Sequence, residues 1–321
     1  MVSLKTTIAA ALATAASALP AGNREPANQN VEANDMSAIM EDLTGVVKLA
    51  TIAEKFELEM YLAVMDKCRG ELSAEQLQDL QTIQEQEQTH AVVLVSQSAQ
   101  AKVQPVESCK YDFSSLKDCQ TALQTASLVE SAGVGAYLGA AGAVKSKEVL
   151  ALAGSILPVE AKHLAIVRGM LQQKASPVAF DSPLDAKSVA TAISPFIVDC
   201  PAGSDPAELF GTNLGLEMQP GQGANALSVD RSLKLQVVQK KGDGNAAKAE
   251  ASAGDMVCAF PVSTEIAASG AIFSAFSDSK GCEIPAGAKG PGSVVLVSEM
   301  PADGKLDPEK IVAGPMLINF S

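Results

Sequence analysis

Four long stretches of the chain repeat apolar residues every three to four positions: Asp42 to Cys68, Ser73 to Lys102, Ser115 to Lys145 and Ser146 to Gln173. That period predicts amphipathic helices. They are joined by "RGELS", a loop from Pro105 to Asp112, and "AVKSKE". A helix of roughly 25 to 30 residues is about 40 Å long, a length suited to a four-helix bundle spanning residues 41–175.

The pattern changes at Ser176. Residues 176–205 are punctuated by prolines and hold one short helical run near Leu184 to Ile193, so they read as a wrapping segment or linker. Residues 206–321 carry short apolar or alternating runs ("LGLEM", "SLKLQVV", "MVCAFPV", "AIFSAF", "GSVVLVSE", "GPMLINF") broken by Gly, Pro, Asp and Asn. Such spacing predicts a small antiparallel β-sandwich. The expected class is therefore α+β and multidomain, a helical bundle followed by a β-rich region. The β-rich half shows no nucleophile elbow, phosphate loop or histidine. Asn319-Phe320-Ser321 reads as a glycosylation sequon.

At the other end, an Ala-rich apolar stretch behind Lys5, closing on Ala16, Ser17 and Ala18, predicts a secretory leader over residues 1–18. A polar, unpatterned tail follows over 19–40. Outside the cell, the six cysteines suit three disulfides. Proximity favours Cys258 with Cys282 and leaves Cys68, Cys109, Cys119 and Cys200 to pair around the bundle. No later stretch reaches the roughly 20 unbroken apolar residues of a membrane helix. A net charge of −13 and a pI near 4.7 oppose contact with nucleic acid or anionic membranes.

The candidate chemistry lies where polar residues interrupt the apolar stripes. The second helix reads Leu80, Ile83, Glu87, His90, Leu94 on one face, and the fourth reads Val149, Ala153, Ile156, Glu160, His163, Val167. In the first helix, Ala53, Glu57, Met60, Tyr61 and Val64 share a face, making Glu57 the expected inward acid while Glu54 and Glu59 point elsewhere. The third places Ala126, Glu130, Gly133 and Tyr137 together. The chain has two histidines, and each follows a glutamate by three residues. With 21 glutamates in 321 residues, chance would give that placement roughly 0.4% of the time.

Four inward carboxylates without Lys or Arg on the same stripes need neutralising, since burying an uncompensated charge costs several kcal/mol per ion. Two divalent cations would cancel four glutamates, and the imidazoles would complete the ligand set. Oxygen and imidazole donors suit Fe or Mn. Glu, Glu-x-x-His, Glu, Glu-x-x-His in that helix order is the pattern of di-iron and di-manganese carboxylate bundles. Pro158, two residues before Glu160, is expected to kink the fourth helix. Tyr61 and Tyr137 are expected to supply supporting hydroxyls.

The segments "FELEMYLAVMD", "EQEQTHAVVL", "LVESAGVGAYLGAAG" and "AGSILPVEAKHLAIVRG" resemble the ferritin-like superfamily. Within it they look like the secreted fungal proteins linked to stress response and sexual development, and like plant desiccation proteins. The likeness runs from about Met40 to Pro201 and includes "ISPFIVDCP". It implies a left-handed bundle with metal ligation by Glu57, Glu87, His90, Glu130, Glu160 and His163. The activities of that group are mostly unassigned. Two functions are consistent with this pattern. One is a secreted di-metal oxidoreductase acting on ferrous iron, O₂ or peroxide; the alternative is a non-catalytic extracellular or cell-wall protein built on the same scaffold.

Overall fold

The computed structural model describes residues 44–219, 232–238, 256–261, 271–277, 281–286 and 288–320. The expected leader and tail lie outside the described residues. Four long helices come first: α1 (Val46–Cys68), α2 (Ala74–Gln100), α3 (Cys119–Ala141) and α4 (Lys147–Met170). Their starts follow local chemistry. Ser73 caps α2 and makes a reciprocal capping box with Gln76, and Ser146 caps α4 through Val149 N–H. The third helix begins later than its periodicity suggests, because the Asp118 carboxylate accepts from Thr121 N–H at 2.7 Å and fixes the first turn there.

The bundle core holds Phe56, Met60, Tyr61, Val64, Leu80 and Leu116, each with no exposed surface. Side chains of this size contribute about 1.5–3 kcal/mol each on burial. The fourth helix runs through Pro158 without a break, and Glu160 and His163 both stay on its buried face. By length and composition α4 is the one described helix that could cross a membrane. One face of it, Val149, Ala153 and Ile156, packs in the bundle against Val47, Leu94 and Tyr137, while Leu150 and Ile166 are exposed.

The Pro-rich segment wraps the bundle. Leu184 N–H donates to the α3 carbonyl of Gly135 at 2.8 Å. At Gly139 a Cβ would meet Leu184 O at 2.1 Å, so only glycine lets the segment lie this close. The segment then forms α5 (Ala186–Ile193), capped by Asp185. A short antiparallel pair, β1 (Lys110–Tyr111) with β2 (Ile197–Asp199), stitches its end to the loop after α2. Around Phe56 the rings of Tyr111, Phe113 and Phe196 sit with centroids 5.2 to 5.7 Å away.

After α6 (Pro206–Phe210) come β3 (Gly215–Met218), β4 (Ser232–Leu233), β5 (Leu235–Val238), β6 (Val257–Phe260), β7 (Ile272–Ser277), β8 (Gly281–Glu283), β9 (Gly290–Val297) and β10 (Ile311–Phe320). The expected strand-rich region takes the form of one curled antiparallel sheet ordered β10-β9-β6-β7-β8-β4, together with the ribbon β3-β5. Leu216 and Leu235 of the ribbon and Phe260, Leu296, Ile318 and Phe320 of the sheet share one core. Helical and strand-rich regions pack together within the unit Ile39–Ser321.

Three disulfides tie the chain: Cys68–Cys119, Cys109–Cys200 and Cys258–Cys282. The third is the pair that proximity favoured, and the other two bind the helices and the wrapping segment. Asn319, the sequon residue, is half-buried, and its amide donates to Gln173 and accepts from Arg168.

Candidate metal centre

Each bundle helix delivers acid to one point in the interior. Glu54, Glu87, Glu130 and Glu160 have no exposed surface, and His163 is 1% exposed. The rings of His90 and His163 lie 6.2 Å apart between centroids. His90 Nδ1 stands 3.1 Å from Glu54 Oε2, 3.3 Å from Glu87 Oε2 and 3.3 Å from Glu160 Oε1. His163 Nδ1 stands 2.6 Å from Glu87 Oε1 and 3.7 Å from Glu130 Oε2.

Two overlapping ligand groups result. One is Glu54, Glu87, His90 and Glu160; the other is Glu87, Glu130, Glu160 and His163. Within each, one ligating atom per residue lies within 4.8 Å of all the others. Glu87 and Glu160 belong to both, as two carboxylates between a pair of ions would.

Glu54 corrects the reading that it points away from the interior. It is buried, accepts the Tyr137 hydroxyl, and faces His90. Glu57, the residue expected in its place, stands beside the two groups and in neither. The signal was present in the sequence. Glu54 precedes Tyr61 by seven residues, nearly two full turns, so the two share a face. A single stripe does not describe α1, which is covered on more than one side, by α2 and α3 and also by the wrapping segment, which packs Val189 against Leu49.

The hydrogen bonding shows how the site is held. Tyr61 donates to Glu130 and Tyr137 donates to Glu54. His163 Nε2 lies 2.7 Å from Gln86 Oε1. Since that amide oxygen only accepts, Nε2 carries a proton toward it, and Nδ1 faces the carboxylates. Although His163 Nδ1 and Glu87 Oε1 are close, they are out of line for a hydrogen bond. Both lack a partner, as do Glu130 Oε2 and both oxygens of Glu160. Orphaned buried acceptors are costly. Here they are the atoms that face one another, and a cation between them removes the penalty. The residues present could therefore hold metal ions through oxygen and imidazole donors.

Electrostatics agree. Burial, then Glu160 nearby, pushes Glu54 and Glu57 well above the usual carboxylate range, and the same holds for Glu130. Burial raises Glu160 as well. Burial works against ionisation of Glu87 too, but the adjoining His163 and His90 hold it at about 2. For His90, burial is outweighed by Glu160, Glu54 and Glu87, which lift it to about 12. Among the described residues no Lys or Arg pairs with these acids. Arg168, the buried cation, donates to Lys174 O and Asn319 instead.

Residues 42–173 match the family described as the ferritin-like domain. With the four helices above, this makes the N-terminal part of the described chain a ferritin-like domain, followed by the strand-rich region. Among solved structures, a dodecameric thioferritin, the bacterioferritin-related protein of Bacteroides fragilis, is 18% identical with a TM-score of 0.39, covering 44% of this chain and 93% of its own. A hypothetical protein of Methanococcus jannaschii is 13% identical with a TM-score of 0.35, covering 56% of this chain and 98% of its own. No curated protein matches the chain.

Proposed function

We propose that the chain is a di-metal carboxylate protein that binds two Fe or Mn ions and acts on ferrous iron, O₂ or hydrogen peroxide in an oxidising, extracellular setting. The observation that carries this is the convergence of buried ligand residues from all four helices on one point, with atoms on three of those helices left without a partner. The ligands proposed are Glu54, Glu87, His90, Glu130, Glu160 and His163, with Glu57 replaced by Glu54. Two redox ions held side by side supply paired one-electron changes, which reduction of O₂ or peroxide requires.

The chain's own residues set the conditions for that chemistry. Glu87 and Glu160 reach both ligand groups, and the charges of Glu54, Glu87, Glu130 and Glu160 match two dications. Tyr61 and Tyr137 hold Glu130 and Glu54 in place, and Gln86 fixes the His163 tautomer. Apolar neighbours such as Ile83 and Ile156 keep water out. Three disulfides support an oxidising location.

Elemental analysis of protein purified without chelators and then reconstituted should give about two Fe or Mn per chain. The variant Glu87→Ala/Glu160→Ala should retain neither. Ferrous oxidation and peroxide consumption should follow the metal. A chain that holds no metal after reconstitution, or activity that survives His90→Ala/His163→Ala, would leave only the scaffold role.

A further inference from the structure

A second feature borders the carboxylate cluster and is not used by it. Between α1, α3, α5 and the strands β3 and β10 lies a cavity of about 250 Å³. Protein interiors are close-packed and leave few voids larger than a water molecule. This one is built by small residues on facing walls: Ala53 on α1, Ala132, Gly133 and Ala136 on α3, and Ala192 on α5. It opens past Pro195 and Glu217, both exposed.

Glu57 lines this cavity and is 2% exposed. Among the described residues nothing hydrogen-bonds its carboxyl. Thr191, also in the wall, is already engaged, donating to Lys187 O at 2.7 Å and accepting from Asn213 N–H at 2.9 Å. The cavity thus offers hydrocarbon walls, one buried carboxyl seeking a partner, and a second carboxylate, Glu217, at the mouth.

We propose that this cavity is a binding site for a neutral, compact, apolar molecule bearing one hydroxyl, with the hydroxyl against Glu57. Size, charge and polarity each narrow the occupant. At 250 Å³ the space exceeds the ~150 Å³ apolar cavity that accepts benzene and falls below the ~300–1,000 Å³ of drug-sized sites. Glu217 at the mouth is acidic and the apolar walls offer an anion no cation to pair with, so burying the charge of a fatty acid or aromatic acid there is costly and these are excluded. A carboxyl bonds a hydroxyl whether or not it is ionised, so the site needs no particular protonation state. The inference does not rest on metal binding, since Glu57 stands outside both ligand groups.

Titration calorimetry on the full chain, metal-stripped and metal-loaded, tests it with 2-naphthol, naphthalene and 2-naphthoate as probes. Naphthol should bind about tenfold more tightly than naphthalene, the worth of one hydrogen bond to a carboxyl, and naphthoate should not bind. In Glu57→Leu the preference for naphthol over naphthalene should vanish while naphthalene still binds. Ala192→Phe, on a half-buried wall position, should abolish binding of both. Should that variant fail to fold, the naphthol–naphthoate contrast and Glu57→Leu decide. Naphthoate binding as tightly as naphthol, no binding of any probe, or an unchanged preference in Glu57→Leu would overturn the proposal. Binding by the metal-stripped protein keeps this outcome separate from that of the metal proposal.

Discussion

Removing metal from this protein should make its stability fall as pH rises. The metal-free interior holds five buried glutamates: Glu54, Glu57, Glu87, Glu130 and Glu160. Burial lifts Glu54, Glu57 and Glu130 well above the ordinary 4.5. A carboxyl raised in the folded state keeps a proton that the unfolded chain has released. Its stabilising effect is complete below the unfolded value and is lost as pH climbs through the folded one. His90, lifted from 6.5 to about 12, acts in the same direction above its unfolded value. Glu87, at about 2, is ionised in both states above the ordinary 4.5 and adds no slope there. Each proton held by the folded state alone contributes ~1.4 kcal/mol per pH unit. Urea unfolding of metal-stripped protein between about pH 5.5 and 8 should therefore lose at least ~1.4 kcal/mol per unit. Metal-loaded protein should stay level or gain, because protons compete with cations for the same oxygens. A flat or rising curve for the stripped protein would mean that the carboxyls are not gathered in a dry interior.

Other expectations follow from particular contacts. Tyr61→Phe and Tyr137→Phe each remove a hydroxyl bound to a ligand carboxylate, and should weaken metal affinity about 10- to 100-fold in competition titrations, with the fold intact by circular dichroism. Gln86→Leu frees His163 Nε2 and should weaken one of the two metal-binding steps more than the other. Cys109→Ser/Cys200→Ser opens a loop of 91 residues and should cost up to about 4.6 kcal/mol in urea melts, by chain entropy.

How much of this was legible in the sequence depends on the kind of signal. Ser73 and Ser146 marked helix starts because a capping hydroxyl acts locally. The third helix starts at Cys119 and not at Ser115, because the Asp118 carboxylate reaches both the Thr121 amide and hydroxyl. Glu87, His90, Glu130, Glu160 and His163 showed as polar breaks in narrow apolar stripes. Glu54 did not, because a helix wrapped on several sides has no single stripe, and the segment that wraps α1 lies over a hundred residues away in sequence. The cavity beside Glu57 was invisible for the same reason. It is made by alanines and glycines on elements that meet only in the fold.

Anomalous diffraction from crystals loaded with Mn or Fe would test the central claim most directly. Two peaks are expected inside the bundle, one beside Glu54 and His90 and one beside Glu130 and His163, with Glu87 and Glu160 touching both. A single peak, peaks only at the surface, or ligands that leave out Glu87 and Glu160 would contradict it.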